Sequence, residues 1–149
     1  MSNLQPTYHD AELLLKLYDL RREPVMREAR AFYANLAPTE ENFLSVVANP
    51  TSKESSYVRQ VVGYWEMAAA LVVHGALNAR LAFDTLQEMY FVYVKIKPFL
   101  PTLREKTNSP DFLANMEKLA EGTQESRERV ARVQARIAAR FAGATKTNA

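Results

Sequence analysis

The chain contains no cysteine. That excludes a disulfide framework, thiolate zinc sites and cysteine nucleophiles. It also fits a reducing compartment, so the expected location is the cytoplasm. Glycine is scarce, 4 in 149 residues, which leaves few tight turns and favours long helices. The only histidines are His9 and His74. "YHDAE" at 8–12 offers His9, Asp10 and Glu12, but Asp10 is better suited to capping a helix than to holding a metal. No H-E-x-x-H, G-x-S-x-G, phosphate-loop or dinucleotide glycine pattern is present. Neither a metal nor a cofactor is expected, and the enzyme reading is weakened.

Long hydrophobic runs are also missing. Val61–Leu77 is the longest, but Glu66 and His74 interrupt it. A membrane span needs roughly 20 apolar residues. "MSNLQPTYHD" shows no basic segment leading into an apolar one, so no secretory signal is expected.

What is present reads as one all-α domain over 1–149, a bundle of six to seven helices around a buried central one. The length suits a single domain. Asp10 is expected to cap a helix to about Arg22. Pro24 can open a second, to about Leu36. Thr39 caps a third, to about Ala48, with Glu40 and Glu41 at its positive end. The fourth, about Glu54–Leu77, carries Val58, Val61, Val62, Trp65, Ala69, Val72, Val73 and Ala76 within about 80° of Trp65. Gly63, Met67, Ala70, Leu71 and Leu77 make its other side apolar too, as expected of a central helix. "YFVYVKIK" alternates like a strand, yet a lone strand finds no partner in this chain. The spacing of Ala82, Phe83, Leu86, Met89, Tyr90 and Tyr93 predicts a helix over about Leu81–Lys97. Ser109 and Pro110 signal another start, Gly122 its end, and Thr123 the start of a basic last helix at about 124–142. The tail "GATKTNA" is expected to fray.

"WE" at 65–66, "HGAL" at 74–77, "KIKPFLPTLRE" at 95–105 and "PDFLANMEKLAEG" at 110–122 together resemble a family of uncharacterised bacterial helical proteins, a domain of unknown function. The resemblance runs from Val58 to Gly122 and implies an all-helical fold. Many members carry an N-terminal membrane segment, which is not expected here. The resemblance implies no reaction and no catalytic residues.

Glu66 is the acid that invites chemistry. A carboxylate in an apolar setting can be shifted and used as an acid or base. The alternative is a structural Glu held by a partner, because an unpaired buried charge is costly. Arg104, in the "LRE" of the shared motif, is the expected partner, with Tyr90 or Tyr93 in reserve. If that pair is buried, Arg104→Ala costs on the order of 3–5 kcal/mol. His74 is no companion for Glu66, since eight helical residues place it about 12 Å away along the axis. It is expected to bond backbone carbonyls or lie at the surface.

Tyr64, Trp65, Glu66, Tyr90 and Tyr93 would line a pocket if one exists. Otherwise the aromatic residues are core, with each hydroxyl bonded at a boundary.

Charge is uneven. Residues 1–122 carry 13 basic and 15 acidic side chains, and residues 123–149 carry 6 and 2. Arg129, Arg132, Arg136 and Arg140 form a stripe suited to phosphates, an acidic partner or an anionic membrane. The alternative is a solvated face supported by Glu125–Arg129 and Glu128–Arg132 pairs.

Three functions follow. The first is a non-enzymatic module that binds another protein or itself, as a homodimer. The second is a small-ligand binder or enzyme with a pocket near Glu66 and Tyr93. The third is nucleic-acid binding through the arginine stripe.

Overall fold

Cap residues set where the helices begin. In a computed structural model, which describes residues 5–143, every regular element is helical. The order is α1 (Tyr8–Leu20), α2 (Pro24–Asn35), α3 (Glu40–Ala48), α4 (Lys53–Val73), α5 (Ala79–Thr85), α6 (Gln87–Ile96), α7 (Leu100–Lys106), α8 (Ala114–Glu121) and α9 (Gln124–Arg140). The fold is an all-α domain, with more and shorter helices than the six or seven expected. From residue 144 on, the tail expected to fray lies outside the described residues.

Thr39, Ser52, Asn78 and Thr123 each accept a backbone N–H of the first turn that follows. At α1 the cap is Thr7, not Asp10. The Thr7 hydroxyl accepts from Asp10 N–H while the Asp10 carboxylate accepts from Thr7 N–H, a reciprocal capping box. The other Asp10 oxygen accepts from Asn78 N–H at 2.8 Å and ties α1 to the start of α5. Donation from Thr7 first, then Asn78, holds the Asp10 carboxyl below the usual range.

α4 is the packing centre and touches α2, α3, α5, α6 and α8. Val58, Val61, Val62, Trp65, Ala68, Ala69 and Val72 are buried along it. Ala68 and Ala69 let neighbouring backbones come close. Its far side is not enclosed as expected: Gly63 and Met67 lie at the surface. The helix also ends four residues earlier than predicted. Gly75 takes φ +80°, Ala76 N–H bonds Leu71 O, and Gly75 N–H bonds Val72 O, which is a Schellman close. His74 is the exposed cap residue. A methyl group added at Gly75 would meet nothing within 4 Å. Gly75→Ala should therefore cost only the left-handed backbone term, about 1–2 kcal/mol, read from urea unfolding.

The helix predicted over Leu81–Lys97 is two helices. Leu86 leaves the helical region (φ −95°, ψ 52°) and places its side chain in the core. No proline or glycine marks this break. The strand-like stretch is helical in α6, and its confusing pattern has a simple cause. α6 packs against α4, α8 and α9, and seven of its ten residues are buried. A helix with so little solvent face leaves little polar periodicity to read.

Ser109 and Pro110 do not start a helix. Residues 109–113 form a turn closed by Phe112 N–H to Ser109 O, and α8 begins after Leu113, which is left-handed (φ 58°) and buried. Glu88 of α6 bridges Arg30 of α2 at 2.8 Å and Arg21 at 3.1 Å, fastening α1 and α2 to the core.

Candidate functional site

Glu66 is held by amides, not by Arg104. One carboxylate oxygen accepts from Asn115 N–H (3.0 Å) and from the Asn115 side-chain amide (2.9 Å). The other accepts from Met116 N–H (2.9 Å). α4 thus presents an anion to the first turn of α8, where the helix dipole is positive and the N–H groups lack intrahelical partners. Arg104 serves the turn before α8. Its Nε donates to Phe112 O at 2.9 Å, and its fork meets Glu117 at 3.3–3.4 Å. The expected ion pair fails because free N–H donors at a helix start satisfy the carboxylate without a cation.

The aromatic set is core rather than a pocket lining. Trp65, Tyr90 and Tyr93 are at most 2% exposed. The Tyr90 hydroxyl pairs with Ser126 and the Tyr93 hydroxyl donates to Glu121, which also holds Lys97 at 2.6 Å. Tyr64 donates to Leu17 O. Of the five residues expected to line one pocket, Tyr64 borders a groove of about 300 Å³ beside Leu14 and Tyr18.

The arginine stripe divides. Arg129 lies 3.5 Å over the Phe83 ring and donates to Phe83 O, so it is docked. Arg140 stands over Phe91 and Phe141 and reaches Asn35. Arg132 and Arg136 are exposed. The expected i,i+4 pairs are absent: Glu125 pairs with Arg80 (2.9 Å) and Glu128 accepts from Gln124 (3.1 Å).

A buried cation escaped the sequence reading altogether. Lys95 is fully buried on α6. Its Nζ donates to Tyr33 O near the end of α2, where the dipole is negative. The rings of Tyr33, Phe91 and Phe141 surround it at 4.8–5.3 Å. It has no carboxylate partner among the described residues. Burial, with the nearby Arg140 charge, pushes Lys95 down to about 7. Such an amine is chemically a nucleophile, but it has no exposed surface.

α1 is anchored by Leu17 and leaves Tyr8, Leu15, Tyr18 and Leu20 exposed (79, 67, 50 and 52%). Tyr8, Ala11 and Tyr18 fall within about 60° of Leu15 around the helix, with Glu12 and Asp19 along one edge, whereas Leu20 stands about 140° away.

A family model described as a domain of unknown function (DUF4760) matches residues 6–123. The chain belongs to this family. Comparison with curated proteins gives no match, and neither does comparison with solved structures. The DUF4760 region spans α1–α8, so it includes the outer face of α1, the Glu66–α8 clamp and Lys95. α9 and its arginines lie beyond it. No helix among the described residues of this DUF4760 chain is long and apolar enough to cross a membrane. Among the same residues no group of three or more His, Asp or Glu side chains could hold a metal. A groove of about 600 Å³ lies between the start of α1, the Gly75 turn and the α8–α9 junction. Its acid, Asp10, is already committed to Thr7 and Asn78.

Proposed function

We propose that this chain is a non-enzymatic helical interaction module that pairs with a second copy of itself through the outer face of α1. The observation that carries this reading is the exposed stripe of Tyr8, Ala11, Leu15 and Tyr18 on a helix anchored from behind by Leu17. Singly exposed apolar residues are ordinary, whereas a contiguous set on one helix face marks a contact surface.

The stripe is also self-complementary, as a two-fold contact requires. In an antiparallel pairing centred on Leu15, Glu12 stands opposite the second copy's Tyr18 and can accept its hydroxyl. Tyr8 stands opposite Arg22, a cation for its ring face. Enzymatic chemistry lacks comparable support: Glu66 is spent on α8 and Lys95 is sealed.

Sedimentation equilibrium tests the proposal. The wild-type chain should be a concentration-dependent dimer. Leu15→Asp should make it monomeric with little change in Tm, because Leu15 is mostly exposed in the single chain. A wild type that stays monomeric at every concentration overturns the reading, whatever else it binds.

A further inference from the structure

A second feature lies away from α1, in a cleft between α3, α4 and α7. Its volume is about 260 Å³. The floor is made by Phe43, Val58, Val62, Ile96 and Leu103, all buried apolar side chains. An apolar cavity of about 150 Å³ is enough to take up benzene. This one therefore has room for a ring with a short side chain, or for a medium-length acyl chain.

The rim is different. Arg59 lines the cleft, is exposed, and makes no hydrogen bond or ion pair with any described residue. The other hydroxyls at the cleft are already donating: Ser55 to Val46 O at 2.9 Å and Thr107 to Leu103 O at 2.8 Å. The cleft thus offers an apolar body site and, in Arg59, an exposed lining residue whose guanidinium is uncommitted among the described residues. A guanidinium recognises a carboxylate through two parallel N–H donors. Small-ligand sites commonly combine such an apolar lining with a few placed polar groups.

We propose that this cleft binds a small apolar monocarboxylate, such as a medium-chain acyl or aryl-alkyl acid. The carboxylate sits on Arg59 and the apolar body lies on the floor between Phe43 and Leu103. This is independent of pairing through α1.

Octanoate, 3-phenylpropionate and the uncharged 1-octanol are the probes, followed by amide chemical shifts and calorimetry on the full chain. Octanoate or phenylpropionate should move the amides around Arg59, Val62 and Thr107. Arg59→Gln should weaken both acids about tenfold and leave 1-octanol unchanged, since tenfold is the effect of losing about 1.4 kcal/mol of charge recognition. Val47→Trp, at the half-buried wall, should block acid and alcohol alike. Arg59 is exposed, so its variant should keep the wild-type Tm, which is measured alongside. Absence of acid binding, or acid binding indifferent to Arg59→Gln, overturns the proposal.

Discussion

Lys95→Met should flatten the pH dependence of stability between pH 7 and pH 10. In the wild type, unfolding free energy from urea titrations should rise across that window by on the order of 4 kcal/mol. The sign follows from the depressed folded value of about 7 against an unfolded lysine near 10.5. Below pH 7 both states are protonated, and the folded chain bears the full cost of a charge without water. Between the two values the unfolded chain holds the proton and the folded chain does not, so stability climbs with pH. Above pH 10 the trend reverses. Burial pushes Tyr64 up to about 12 and holds the Tyr33 and Tyr93 hydroxyls higher still, so unfolded tyrosines ionise first. Methionine fills similar space without the charge, and should make the chain more stable than wild type at pH 6 despite losing the bond to Tyr33 O. A wild-type profile flat from pH 7 to pH 10 would refute this account of Lys95.

The second large effect belongs to Glu66. Glu66→Ala should cost on the order of 3–4 kcal/mol in equilibrium unfolding, because three donors lose a charged acceptor at once. Met116 is fully buried, so water cannot readily replace the carboxylate at its N–H. Glu66→Gln keeps one acceptor oxygen and should cost less. Arg104→Ala, once expected to strand a buried acid, should cost only about 1–2 kcal/mol, since its bonds go to Phe112 O and to the half-exposed Glu117. Equal costs for Glu66→Ala and Arg104→Ala would show that the clamp has been misassigned.

The all-α fold was legible because helix signals are local. Pro24, Thr39, Thr123 and the stripe around Trp65 each act within a few residues, and each element formed near its predicted place. What failed depended on neighbours distant in sequence. That Glu66 needed a partner could be inferred, but backbone N–H groups are carried by nearly every residue and identify none. Arg104 was conspicuous because a guanidinium can hold a carboxylate bidentately, a fit that Lys95 and Lys97 of the same motif lack. Lys95 was hidden by the general rule that lysines stay at the surface. Its burial arises from rings on α2 and α6 and beyond the end of α9, a meeting that no local spacing announces. Arg129 was read as one of four equal arginines, yet Phe83, 46 positions earlier, claims it. The split at Leu86 had no breaker residue to announce it, since tertiary burial of that leucine drives it.

The placement of α9 has a consequence for variation among related chains. The region shared with the family supplies Lys95, Tyr33 and Phe91, whereas Phe141 and Arg140 come from sequence beyond residue 123. A chain cut or altered after residue 123 would thus keep the lysine itself but lose Phe141 and Arg140. In such a chain the same amine would regain water on that side and revert towards an ordinary surface cation. The acidity of Lys95 is therefore set in part by a segment that lies outside the region matching the family.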